Sequence, residues 1–173
     1  AMPKLGFKPI IGGQPKILIL GSMPGEASLQ QSQYYANPRN VFWEIVATHF
    51  NFAHTLDYEQ KIKRLIENKT ALWDVIGSCQ RPGSLDSSIR SSSIKVNNFQ
   101  KLFTNFPSIT HVFFNGTKAK TEFHKRVLPE LGELQSKLDL ILLPSTSPAN
   151  ASISRDEKMT QWSKLKSVII KGE

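Results

Sequence analysis

Four short apolar runs constrain this chain most: Ile17-Leu18-Ile19-Leu20, Ala71-Leu72-Trp73-Asp74-Val75, His111-Val112-Phe113-Phe114-Asn115 and Leu140-Ile141-Leu142-Leu143. Each reads as a strand, and none alternates polar with apolar residues. A strand without alternation is covered on both faces, as in a parallel sheet sandwiched by helices. Segments with apolar residues at helical spacing fall over 40–50, 58–67, 98–106, 117–128 and 155–169. In the first, Val41, Ile45 and Val46 share a face; in the last, Met159, Trp162, Leu165 and Val168 do. The order predicts an α/β fold, a three-layer αβα sandwich with a central, mainly parallel four-stranded sheet. With 173 residues the chain reads as one domain, 1–173, long enough for a sizeable core.

Ligands of such sheets bind beyond the carboxyl ends of the strands. The four runs lead into Gly21-Ser22, Gly77-Ser78, Asn115-Gly116-Thr117 and Pro144-Ser145-Thr146-Ser147-Pro148, so small and polar residues are expected to converge at one rim. The turn Gly21-Ser22-Met23-Pro24-Gly25 lets backbone N–H groups approach a ligand. Tyr34-Tyr35-Ala36-Asn37-Pro38-Arg39-Asn40-Val41-Phe42-Trp43 follows, an aromatic pair and a cluster of amides. Together they predict a pocket for a flat, polar, aromatic object, a description that a nucleobase meets. One of Tyr34 and Tyr35 is expected in the core and the other free to stack on a base. Phe42 and Trp43 read as packing residues. The Asn40 amide can accept and donate, which suits positioning and charge stabilisation rather than covalent catalysis; it also stands where a helix N-cap would.

A formal net charge of +8 and a pI near 9.7 fit a polyanionic partner such as nucleic acid. Hydroxyls and backbone N–H groups of the 144–150 loop suit phosphate contacts, although the same loop would also serve as a proline-fixed turn capping the last helix. Lys118, Lys120, Lys125 and Arg126 extend a phosphate track or form a solvated face. The serine-rich stretch 83–93 reads as an exposed, mobile loop.

Other chemistries lack their residues. Cys79, the single cysteine, excludes an internal disulfide, a cysteine-ligated iron–sulfur cluster and a thiolate zinc site, and reads as a half-buried spectator. His54, His111 and His124 have no ligand-like spacing, and neither a P-loop nor a dinucleotide fingerprint is present. No metal and no cofactor is therefore expected. Ser22 follows the first strand, where some esterases carry a nucleophile, but Arg155-Asp156-Glu157-Lys158 lacks the histidine such a serine needs. No apolar run reaches membrane-spanning length and none reads as a signal peptide, so a cytoplasmic location is expected. Without a coiled-coil pattern the expected state is a monomer. Ala1 ahead of Met2 reads as a cloning remnant.

Taken in order, these segments resemble the uracil-DNA glycosylase superfamily, and within it the hypoxanthine-DNA (deoxyinosine) glycosylases, near the mismatch-specific uracil and thymine enzymes. Gly21-Ser22-Met23-Pro24-Gly25 matches the superfamily's first motif, and Pro144-Ser145-Thr146-Ser147-Pro148 stands in place of the second. Residues 35–43 resemble the segment carrying a base-stacking aromatic, a proline and an Asn-x-Phe-Trp-like helix start; the match spans 16–162. The resemblance implies one glycosylase-like domain that flips a deaminated base out of DNA and hydrolyses its N-glycosidic bond without a lysine Schiff base. It implies Asn40 as the catalytic amide, and Gly21, Ser22, Met23, Pro24, Gly25, Tyr35 and Asn115 as the base pocket. Ser145, Thr146, Ser147, Pro148 and Lys118 would bind DNA. Two departures stand out. Mismatch uracil glycosylases carry a water-positioning asparagine where this chain has Met23, a loss shared by the deoxyinosine branch. They also place a bulky aliphatic wedge after the second motif, where Ser147 and Pro148 stand here, with proline as the apolar candidate. The alternatives are a uracil or thymine mismatch glycosylase and a non-catalytic nucleic-acid-binding module on the same fold.

Overall fold

The computed structural model describes residues 2–171, so Ala1 lies outside the described residues. The elements run β1 (Lys4–Leu5), β2 (Ile17–Gly21), α1 (Glu26–Gln31), α2 (Phe42–Phe50), α3 (Tyr58–Glu67), β3 (Thr70–Asp74), β4 (Ile76–Cys79), β5 (Lys95–Val96), α4 (Phe99–Asn105), β6 (His111–Asn115), α5 (Thr117–Glu122), β7 (Asp139–Leu143), α6 (Arg155–Trp162) and α7 (Lys164–Lys171). The central sheet is wholly parallel with order β3-β2-β6-β7. Its four strands are the four apolar runs, shifted by at most one residue at either end.

Double coverage explains the missing alternation. Leu18 and Leu20 of β2 point into one core with Phe99, Phe103, Val112, Phe114 and Phe123, beneath α4 and α5. Ile17 and Ile19 point into the other with Phe42, Ile45, Leu65, Phe113 and Trp162, beneath α2, α3, α6 and α7. All four β2 residues are 0% exposed. Removing a ring as large as the fully buried Trp162 from such a core costs roughly 3–5 kcal/mol.

Helix ends follow local capping chemistry. Asp57 accepts from the Gln60 N–H at 2.9 Å and opens α3; Asn98 accepts from the Lys101 N–H at 3.1 Å and opens α4. The segment expected as one helix over 117–128 is α-helical only to Glu122 and continues as a π-helical turn over Phe123–Val127. The segment expected over 155–169 divides at Ser163 into α6 and α7.

A second, antiparallel sheet with order β1-β4-β5, and the short helix α1, have no counterpart in the sequence reading. β1 and β5 are two residues each, too short to show a period. They correct the expected rim: Gly77 and Ser78 lie inside β4, and the chain leaves the central sheet at Asp74. Cys79 is fully buried rather than half-buried, in a small apolar cluster with Met23, Ile76, Ile89 and Ile94.

Candidate active site

Beyond the carboxyl ends of β2, β3, β6 and β7 opens a cleft of about 980 Å³. That volume is large for a small-molecule site and admits an extruded nucleotide. Its walls are the turn 21–25, the segment 34–40, the loop 84–87, the start of α5 and the loop 144–150. The sequence-predicted residues Gly21, Ser22, Met23, Pro24, Gly25, Tyr35, Asn40, Asn115, Lys118, Ser145, Thr146, Ser147 and Pro148 all line it. Their roles divide on inspection.

Tyr35 takes a left-handed backbone with φ of +55°, a strained state for a non-glycine residue. Its ring stacks on Phe42, with centroids 4.0 Å apart and planes at 20°, while its hydroxyl is enclosed without a hydrogen-bond partner. Burial, and then the neighbouring Asp74 charge, hold that phenol well above its ordinary range. Tyr34 is the core member of the pair: 4% exposed, it donates through its hydroxyl to the Lys8 carbonyl at 2.7 Å. Phe42 and Trp43 pack as expected, and the Trp43 indole N–H donates to the Tyr34 carbonyl at 2.9 Å.

Asn40 precedes α2. The N-cap of α2 is Val41 rather than Asn40. Asn40, one residue earlier, accepts from the Phe42 N–H through Oδ1 at 3.0 Å, a turn bond that fixes the amide's orientation. The oxygen retains a second lone pair and the Nδ2 group its donors.

Thr146 knits the rim together. Asn115 Nδ2 donates to Thr146 Oγ1 at 3.0 Å, and the Thr146 N–H donates to Asn115 Oδ1 at 2.9 Å. The Thr146 carbonyl accepts from the Val41 N–H at 3.2 Å. Thr146 is 1% exposed and Asn115 9%. Both residues line the cleft, and their mutual hydrogen bonds brace its rim. Gly116, between β6 and α5, has φ of +96°, and a Cβ there would sit 3.0 Å from that of Ser145, so the approach of the two loops needs glycine. Ser145 Oγ accepts from the Ser147 N–H at 3.2 Å, and Ser147 Oγ from the Ala149 N–H at 3.1 Å. The Trp162 indole N–H supports this loop from below through the Pro144 carbonyl at 2.9 Å.

Lys118 lines the cleft with its amine on Glu122, 3.2 Å away. Glu122 also takes Arg126 at 2.8 Å, and these two cations hold its carboxyl below the usual range against the cost of burial. Met23 stands where an asparagine would position water, but it is 7% exposed and packs into the small apolar cluster under the turn.

The loop expected to be mobile is pinned. Ser22 Oγ donates to Asp86 Oδ1 at 2.6 Å, and the Glu26 N–H donates to Ser84 Oγ at 2.9 Å. Lys4 donates to the Gly83 carbonyl at 2.7 Å and Arg126 to the Ser91 carbonyl at 3.0 Å. The buried Arg81 donates to the Pro24 carbonyl at 2.6 Å and the Gly83 carbonyl at 2.9 Å, clasping loop and turn together. Leu85 stands on the lip so formed, 54% exposed.

Asp74 is the site residue that the sequence reading missed. It ends β3, lines the cleft and is 4% exposed. A Cβ on Gly21 would meet its Oδ1 at 2.5 Å and the Tyr35 hydroxyl at 2.8 Å, so glycine alone lets the three groups converge. Its Oδ2 is enclosed without a hydrogen-bond partner. Burial, and then the Asp86 charge, push its pKa up to about 7, against the opposing pull of Arg81. The signal was present: a carboxylate closing an otherwise apolar parallel strand. His49, the fourth histidine, lies outside the cleft, its Nε2 2.7 Å from the Met159 carbonyl. Among the described residues no three His, Cys, Asp or Glu side chains gather as a metal site would need.

Comparison with known proteins agrees with this geometry. The sequence profile of the uracil DNA glycosylase superfamily matches residues 9–167. A hypoxanthine DNA glycosylase of Methanosarcina acetivorans is 35% identical over 162 residues, 93% of this chain and 96% of that protein. One of Methanosarcina barkeri is 37% identical over 119 residues, 68% of this chain and 74% of that protein. The solution NMR structure of a candidate uracil DNA glycosylase from M. acetivorans superimposes with a TM-score of 0.79 at 33% identity, covering 96% of this chain and 99% of that one. A cleft at the carboxyl edge of a four-stranded parallel sheet, walled by both ordered motifs, and a profile match over most of the length lead to one conclusion: this chain belongs to the uracil DNA glycosylase superfamily.

Proposed function

We propose that this protein is a monofunctional DNA glycosylase that excises deaminated bases, chiefly hypoxanthine from deoxyinosine, and leaves an abasic site. The observation that carries the reading is the convergence of Asn40, Tyr35 and the 21–25 turn in one nucleotide-sized cleft, in a chain whose relatives are named for hypoxanthine. A base inside a duplex is out of reach, so it must be extruded, and a poorly pairing deaminated purine costs least to extrude. The Tyr35 ring, backed by Phe42, supplies a stacking platform. Bond cleavage places negative charge on the departing base and positive charge on the sugar. Backbone N–H groups of Ser22, Met23 and Gly25 suit the former, and DNA phosphates the latter. Asn40, oriented by Phe42, holds the attacking water between its free lone pair and its Nδ2 group.

Lys118 is the lysine lining the cleft among the described residues, and its ion pair with Glu122 argues against a Schiff-base route. The buried Met23 argues against uracil excision by the water-positioning asparagine of mismatch enzymes. The reading extends to a monomer built as one glycosylase domain over 1–173. No helix among the described residues is long and apolar enough to cross a membrane, and a DNA substrate favours a cytoplasmic location. The test is incubation with duplexes holding one inosine, one xanthosine or one deoxyuridine, followed by alkali. Strand cleavage is expected chiefly at inosine. Cleavage at deoxyuridine alone would assign a pyrimidine pocket, and binding without cleavage anywhere would make the protein a binding module.

A further inference from the structure

We propose that Asp74 acts on the flipped base as a neutral carboxylic acid, its hydroxyl donating a hydrogen bond to the carbonyl oxygen of the departing purine, so that ionisation of Asp74 switches the site off. The proposal rests on the hypoxanthine reading above and deepens it.

The geometry points this way from three sides. Asp74 stands at the carboxyl end of β3, lines the cleft and has one oxygen against Gly21. Its other oxygen is enclosed with no donor to meet it. A carboxylate spreads its charge over both oxygens, so an enclosed oxygen without a donor favours the protonated form. The nearest anion reinforces this choice. Asp86 on the 83–93 loop repels a second anion, while the buried phenols Tyr34 and Tyr35 beside Asp74 stay uncharged in this range and add no charge of either sign. Arg81 pulls the other way, but among the described residues it is engaged with the Pro24 and Gly83 carbonyls.

A neutral acid here has a chemical purpose. Hypoxanthine presents a carbonyl oxygen, and the O–H of a neutral carboxyl donates to it, which a carboxylate cannot do. As the glycosidic bond breaks, its electron pair moves onto the base and charge accumulates on that oxygen. The hydrogen bond therefore strengthens when it is most useful. An ionised Asp74 would instead set a negative charge against the departing anion.

Single-turnover release of hypoxanthine from an inosine duplex between pH 5.5 and 8.5 tests this, comparing wild type with Asp74→Asn and Asp74→Ala. For wild type the rate should fall above pH 7, approaching tenfold per pH unit. Asp74→Asn keeps a donor that does not titrate, so its rate should lack that fall whatever its absolute value. Asp74→Ala should be slower than Asp74→Asn at every pH. A carbon-13 NMR titration of the Asp74 carboxyl, which does not depend on activity, should place its midpoint near neutrality. A wild-type rate flat through pH 7, an equal fall in Asp74→Asn, or a carboxyl already ionised at pH 5.5 would overturn the proposal while leaving the glycosylase reading standing. Failure of wild type to release hypoxanthine at any pH would instead refute that reading, and this proposal with it.

Discussion

Replacing Asp74 by asparagine should stabilise the protein at alkaline pH and do far less at acid pH. The carboxyl is 4% exposed and carries an enclosed oxygen without a donor, and an asparagine there has almost the same shape without the charge. Its pKa of about 7 in the fold compares with an ordinary value of 3.8. Between those values the native state holds a proton that the unfolded chain has lost, so stability falls as pH rises through the window and levels off above it. Roughly three pH units at about 1.4 kcal/mol each give about 4 kcal/mol, an upper figure because water reaching the opened site would relieve part of it. Urea denaturation of wild type and Asp74→Asn at pH 4.5 and pH 8 reads the difference directly. The gap between the two proteins should widen by about 2–4 kcal/mol from the lower pH to the higher, and by roughly 4–16 °C in Tm for a chain of this length. Parallel pH profiles would refute the reasoning, since they would mean that Asp74 titrates alike in the folded and unfolded states.

Asn115→Ala removes the partner of two Thr146 groups in a buried setting; it should cost roughly 2–4 kcal/mol in urea denaturation and slow excision by displacing the second-motif loop. Met23→Asn buries an amide in an apolar cluster; it should destabilise the fold by roughly 2–4 kcal/mol and fail to confer uracil excision, and an active uracil glycosylase from this variant would contradict the packing described. Leu85→Ala trims an exposed side chain on the pinned lip. Its thermal stability should be unchanged, while inosine excision from a duplex, but not from a single strand, should slow several-fold if this exposed apolar side chain on the cleft lip, rather than Pro148, fills the gap left by the flipped base.

The two layers of helices and the parallel sheet were legible because Ile17–Gly21 and its neighbours are apolar on both faces, a pattern that few folds produce. The cleft was legible because its two loops carry ordered motifs. What escaped depends on contacts distant in sequence. β4 and β5 pair across a chain reversal, and β5 has only two residues, so the rim residue was misplaced from Asp74 to Gly77. The 83–93 stretch has the composition of a mobile loop, yet Arg81, Lys4 and Arg126 hold it through backbone carbonyls that no sequence pattern marks. Thr146 and Asn115 were identified as site residues by type, but the mutual hydrogen bonds by which they brace the rim join residues 31 apart and leave no mark in the sequence.

Release of hypoxanthine from DNA is here assigned to Asn40 and the cleft around it. Its most direct test is single-turnover cleavage of an end-labelled inosine duplex by wild type and by Asn40→Ala, with alkali treatment and with folding of the variant checked by urea denaturation. Wild type should cleave efficiently at inosine, and a folded Asn40→Ala protein should lose at least about a hundredfold, roughly the contribution of one positioned polar group. Undiminished cleavage by Asn40→Ala, or no cleavage at inosine by wild type, would contradict that assignment.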